Sequence, residues 1–132
     1  MTHSVLLIHG ALGSASQLEP VKIALQNSGL AVHSMDLSGH GGAAFQTQFG
    51  IEQFASDVLK WLDQNSLRTV NVFGYSMGGY VSLEFASKYP KRVGSIVTLG
   101  TKFDWSVESA AREVRKLNPE KILEKVPAFA RI

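Results

Sequence analysis

The sequence predicts an α/β fold in which helices flank a single parallel sheet. Three observations lead there. Short apolar runs rich in Val, Ile and Leu recur through the first hundred residues, and they alternate with stretches whose apolar residues fall at helical spacing. Val5-Leu6-Leu7-Ile8 contains no polar residue, as expected of a strand covered on both faces. Glycines follow the first three runs, marking sharp turns out of strands. Alternation of this kind implies parallel strands joined by right-handed crossovers.

The elements follow in order. The first strand is expected at Ser4–Ile8 and ends in His9-Gly10-Ala11-Leu12-Gly13-Ser14. Gly10 and Gly13 let the backbone turn there and present N–H groups instead of side chains. The first helix starts at Pro20, a residue favoured in the first helical turn, and stops at Gly29. A second strand at Ala31–Met35 is closed by Asp36-Leu37-Ser38-Gly39-His40-Gly41-Gly42. Ile51, Phe54, Ala55, Val58, Leu59 and Leu62 form one stripe, which predicts a second helix over residues 51–65. Residues 69–73, Thr-Val-Asn-Val-Phe, read as the third strand. The third helix begins at Ser76, ends before Pro90 and carries Val81, Phe85 and Tyr89 on one face. A fourth strand over residues 95–99 precedes a helix capped by Ser106, which runs to about Leu117 and is broken by Asn118-Pro119. There are no internal repeats or low-complexity stretches.

The junction of the third strand and third helix carries the chemistry. Gly74-Tyr75-Ser76-Met77-Gly78 places a serine on a strand-to-helix turn, where the backbone is strained and the hydroxyl points outward. Gly74 and Gly78 are required because strand and helix approach too closely for side chains. The helix N-terminus offers free N–H groups and a partial positive charge where an oxyanion would form. Ser76 is therefore the candidate nucleophile.

With these segments in view, the chain resembles the α/β-hydrolase family over nearly its whole length. His9-Gly10 matches the family's loop after its strand, Asp36 to Gly41 its Asp-x-x-Gly-His-Gly loop, and Gly74 to Gly78 its nucleophile elbow. Tyr89-Pro90-Lys91-Arg92-Val93 matches the Tyr-Pro-x-x-Val that leads into the next strand. The resemblance implies a partial α/β-hydrolase fold with spatial strand order 2-1-3-4. Strands one and three are then neighbours whose connections leave in opposite directions, opening a crevice at their carboxyl ends. It also implies Ser76 as nucleophile and an oxyanion hole built from the N–H groups of Ala11 and Met77, acting on a small ester or other acyl substrate. No metal and no cofactor is implied.

The order of residues departs from the family's. The triad there runs Ser, then Asp or Glu, then His. His3, His9, His33 and His40 all precede Ser76, and no histidine follows it. Asp104 lies just past the fourth strand, where some members carry the acid. The 132 residues are expected to form one incomplete domain, with about 1–100 as core and 101–132 as the start of a lid region. The acid and base would come from sequence downstream. Related members use the same serine for acyl transfer or lyase chemistry, and a binding or scaffold protein that kept the elbow without a base is the alternative from another class. With the fourth strand as an exposed edge, self-association is expected.

Composition narrows the rest. Nearly half the residues are apolar, enough for one sizeable core, and there is no cysteine for a disulfide or a thiolate metal site. A formal charge of +2 is too small to imply nucleic acid as a partner. The charge is uneven, with ten Lys/Arg against five Asp/Glu in residues 88–132, read as solvated helix faces in preference to an anion-binding patch. Val5 to Ile8 is too short for a signal-peptide core or a membrane span, so a cytoplasmic protein without membrane association is expected. His9 and His40 lack paired carboxylates or a second His at helical spacing and are read as loop-shaping. The glycines match neither a P-loop nor a dinucleotide fingerprint. Trp61 is expected to pack at the sheet or a helix edge, and Trp105 either to pack or to line a pocket.

Overall fold

The computed structural model describes residues 4–116. Strands β1 (Ser4–Ile8), β2 (Ala31–Met35), β3 (Val70–Tyr75) and β4 (Val93–Leu99) form one sheet in the order β2-β1-β3-β4. All three pairings are parallel, as expected from the alternation of strands with helices. The helices are α1 (Glu19–Asn27), α2 (Ile51–Gln64), α3 (Met77–Lys88) and α4 (Val107–Lys116).

The sheet divides the core into two layers because successive strand residues face opposite ways. Leu6 and Ile8 of β1 with Val70 and Val72 of β3 pack against α2 and α3, where Phe54, Ala55, Val58, Leu62, Val81 and Phe85 are buried. The stripe foreseen for α2 is thus its buried face, with Ile51 and Leu59 half-buried beside it. On the other side Leu7 and Val32 meet Leu18, Val21 and Leu25, while Phe73 and Tyr75 line the same layer. Trp61 packs half-buried against the larger layer, and its ring meets His33 edge-on at 5.5 Å.

Several boundaries move for local reasons. A 3-10 turn over Ala15–Leu18 feeds α1, which starts one residue before Pro20. β3 continues through Gly74 to Tyr75 because β1 and β4 still pair with it there. β4 starts at Val93, two residues earlier than expected, directly after a 3-10 turn at Pro90–Arg92. Ser76 caps α3 without being its first helical residue. Ser106 caps α4 as foreseen: its Oγ accepts the Ser109 N–H at 3.0 Å, and Ser109 Oγ accepts the Ser106 N–H at 2.8 Å. This is a capping box in which serine takes the place of glutamate. The expected end at Leu117 and the Asn118-Pro119 break lie outside the described residues.

Candidate active site

The strand register decides what meets Ser76. Ile8, the last residue of β1, pairs with Gly74, so the loop after β1 emerges beside the turn after β3. A Cβ on Gly10 would sit 3.2 Å from Ser76 Cβ. Residues more than sixty positions apart thereby share one crevice at the carboxyl ends of adjacent strands.

Ser76 adopts φ 52° and ψ −118°, a left-handed conformation that a side chain with a Cβ resists. Several contacts hold it there. Its N–H donates to Leu99 O at 2.8 Å, and its carbonyl accepts Thr101 Oγ1–H at 2.8 Å and Gly79 N–H at 3.0 Å. The end of β4 and the turn after it therefore clamp the backbone on both sides of the side chain. Thr101 carried no signal in the sequence, since its role depends on a fold-back over 25 residues. Among the described residues, nothing hydrogen-bonds Ser76 Oγ.

The glycines around Ser76 mark close approach. A Cβ at Gly74 would lie 2.5 Å from Gly78 O and from Gly79 N, and one at Gly78 would strike Ile8 O. Helix α3 thus starts directly against β1. Met77, its first residue, has an N–H without an intrahelical acceptor. Across the crevice, Gly10 to Gly13 form a turn closed by Gly13 N–H to Gly10 O at 3.1 Å. Ala11 is exposed at its apex, and its N–H has no acceptor among the described residues.

Two side chains, His9 and Asp36, tie this turn region to the loop after β2, and a third, Asp57, anchors that loop to α2. His9 is fully buried; its Nδ1–H donates to Gly10 O at 2.8 Å, and its Nε2 accepts Leu37 N–H at 3.0 Å. Burial holds the imidazole below its ordinary value of 6.5; the hydrogen bond to Gly10 opposes this, His40 reinforces it and Asp36 opposes it. Asp36 Oδ1 accepts Ala15 N–H at 2.7 Å. Asp57 on α2 accepts Ser38 N–H at 2.8 Å and Ser38 Oγ–H at 2.6 Å, fixing the second loop from behind. His9, read as loop-shaping, is so placed; Asp36 and Asp57 were not singled out, although Asp36 opens the Asp-x-x-Gly-His-Gly segment.

The remaining sequence candidates make no hydrogen bond to Ser76 among the described residues. His40 is buried, donates Nδ1–H to Ser38 O at 3.0 Å, and is enclosed by Phe49, Phe54 and His9. It shapes its loop, as expected. Asp104 is exposed. Of the two roles weighed for Trp105, the structure shows a half-exposed ring under Lys102 Nζ, with Nε1–H donated to Lys102 O. Among the described residues no group of three or more His, Cys, Asp or Glu could hold a metal. Two surface depressions, of about 220 Å³ beside Asp36, Asp57 and Lys60 and about 420 Å³ beside Arg68 and Arg92, do not include Ser76.

Residues 3–128 match the family model described as the alpha/beta hydrolase fold. The chain belongs to that family. A relative at 34% identity over 109 residues is a Variovorax paradoxus protein assigned provisionally as the carbamate hydrolase RutD, matched over 81% of this chain and 40% of that protein. Ethanol acetyltransferase 1 of Cyberlindnera jadinii is 29% identical over 99 residues, 74% of this chain and 30% of that protein. Among solved structures, a carboxylesterase structure from the thaumarchaeon Nitrososphaera gargenis superimposes with a TM-score of 0.81 at 18% identity, over 98% of this chain and 48% of that one. The α/β-hydrolase chain described here thus spans less than half the length of each of these relatives. Among the described residues no helix is long and apolar enough to cross a membrane.

Proposed function

We propose that this chain carries the nucleophile and oxyanion side of a serine-dependent hydrolase acting on esters or other acyl substrates. The observation that carries the reading is Ser76 at φ 52°, clamped by Leu99 and Thr101 with its hydroxyl left without a partner among the described residues. Strain of this kind costs about 1–3 kcal/mol and persists where the surroundings over-determine it, commonly at reactive positions.

In the proposed reaction Ser76 Oγ attacks the acyl carbon, giving up its proton to a base. The carbonyl oxygen becomes an oxyanion facing the N–H groups of Ala11 and Met77, each worth about 3–4 kcal/mol in the transition state. The C–O bond breaks, the alcohol leaves with the proton, and water then releases the acid from the acyl-serine. Among the described histidines, His9 and His40 hydrogen-bond other partners and His33 packs on β2 against Trp61, so we assign the base, and the acid that orients it, to sequence C-terminal to residue 132. Residues 1–132 are then one part of a hydrolase domain, with 101–132 opening the lid region. Similarity to an ethanol acetyltransferase favours a second outcome at the same serine, in which an alcohol resolves the acyl-enzyme in place of water.

The test is labelling by a fluorophosphonate, followed by peptide mapping. Ser76 is the expected site, slow in the isolated chain for want of a base, and Ser76→Ala is expected to abolish it. Labelling at Ser14 or Ser38 would defeat the assignment. With a p-nitrophenyl ester the isolated chain is expected to show at most the residual ~10³–10⁴-fold enhancement over water that survives loss of a triad member. A large Ser76-dependent rate that His40→Ala removes would place the base at His40 instead.

A further inference from the structure

We propose that the neutral imidazole of His9 is a proton-sensitive latch: it locks the turn carrying Ala11 to the loop after β2, and protonation of Nε2 releases that lock. The ring makes two bonds of opposite polarity. Nδ1–H donates to Gly10 O at 2.8 Å, at the start of the turn. Nε2 accepts Leu37 N–H at 3.0 Å, on a different loop 28 residues away. Only the Nδ1–H neutral tautomer satisfies both, because an imidazolium carries a donor at each nitrogen. Adding a proton would therefore set an N–H against the Leu37 N–H inside a fully buried site, orphaning both donors.

The groups facing His9 make this a controlled element. From the loop after β2 come His40, with its ring centroid at 4.9 Å, and Asp36, whose Oδ1 is occupied by Ala15 N–H at 2.7 Å. From α3 the approach is by the Gly78 backbone, since a Cβ there would lie 2.6 Å from His9 O. The Asp36 carboxylate, which acts on the ring electrostatically, is thus already hydrogen-bonded to the segment that follows the same turn. Burial disfavours the charged ring and holds its titration below the ordinary 6.5. The His9 bond between the turn and the second loop is therefore made at neutral pH and lost in acid, leaving Asp36 on Ala15 N–H as the remaining tie. The effect on catalysis rests on the assignment of Ala11 to the oxyanion hole, whereas the latch concerns only the ring and its two bonds.

The test is a pH titration of the 132-residue chain by NMR, reading imidazole nitrogen shifts together with backbone amides. The expected result is the Nδ1–H tautomer at neutral pH and a His9 midpoint below 6.5, with the Leu37, Gly10 and Ala11 amides moving at that same midpoint. His9→Asn keeps a donor near the Nδ1 position but has no acceptor at Nε2; it is expected to abolish the shared transition while leaving the Ser106–Ser109 cap amides unmoved. If that variant fails to fold, the wild-type titration decides alone. An Nε2–H tautomer, a midpoint at or above 6.5, or a Leu37 amide that ignores the His9 titration would overturn the latch. Serine labelling tests the nucleophile separately, so failure of one reading leaves the other measurable.

Discussion

Gly78→Ala probes the closest contact in the site. Helix α3 begins so near β1 that a methyl at position 78 would strike Ile8 O and lie 2.6 Å from both His9 O and Ile8 C. These are backbone atoms at the end of β1 and of the residue after it, where Leu6, Leu7, Ile8 and His9 are all fully buried, so they cannot swing aside. The helix must instead retreat by roughly 1 Å, and a gap of that size forfeits about a quarter to a half of the attraction of each facing contact. Overpacking of this kind costs about 1–3 kcal/mol, and the rigidity of both partners puts Gly78 at the upper end. Alanine regains about 1 kcal/mol of helix propensity over glycine. A net loss of about 2 kcal/mol should lower Tm by roughly 7 °C in a chain of this size. Gly42→Ala is the control, since nothing lies within 4 Å of its Cβ position. Thermal unfolding followed by circular dichroism compares the two. A Gly78→Ala protein that melts with or above wild type and Gly42→Ala would refute the argument that close approach demands glycine here.

Ser76→Gly relieves a strained φ of 52° and should raise Tm slightly, by about 1 kcal/mol of stability at most, while abolishing fluorophosphonate labelling; a fall in Tm would show that the strain is absent. Because the folded-state pKa of His9 is lowered, the unfolded chain binds its proton first on acidification. Its contribution is fully present above 6.5 and is lost as pH falls through the folded value, so urea midpoints at pH 7.5 and 5 should converge less in wild type than in His9→Asn. Val97 and Leu99 are more than half exposed on β4, the last strand of the sheet. We expect the chain to self-associate through this edge in light scattering, and Val97→Lys to shift it towards monomer; a sharp wild-type monomer at high concentration would contradict this.

Much of the architecture was legible in local patterns. The all-apolar run at 5–8 meant a strand covered on both faces, and the 51–62 stripe meant a helix with one buried side, because hydrophobic period maps directly onto backbone geometry. Gly74 and Gly78 flanking Ser76 between strand and helix announced a tight elbow, and the structure has one. The third and fourth strands were harder to bound than the first two, whose limits fall where local composition puts them. Whether β3 stops at Phe73 or Tyr75 depends on partners in β1 and β4, which local composition does not encode.

What holds the site together came only from the fold. The Thr101 hydroxyl on the Ser76 carbonyl, the Asp57 carboxylate on Ser38, and the His9 ring on Leu37 N–H join residues 25, 19 and 28 positions apart. Such bonds depend on strand order and register, and any of several Ser, Thr, Asp or His residues could satisfy a backbone group if placed there. The chain's local periodicities therefore specify which segments form and which serine sits at the elbow. The long-range hydrogen bonds, which lower the energy only once the β2-β1-β3-β4 sheet has brought distant loops together, specify how that serine and its neighbouring turn are held.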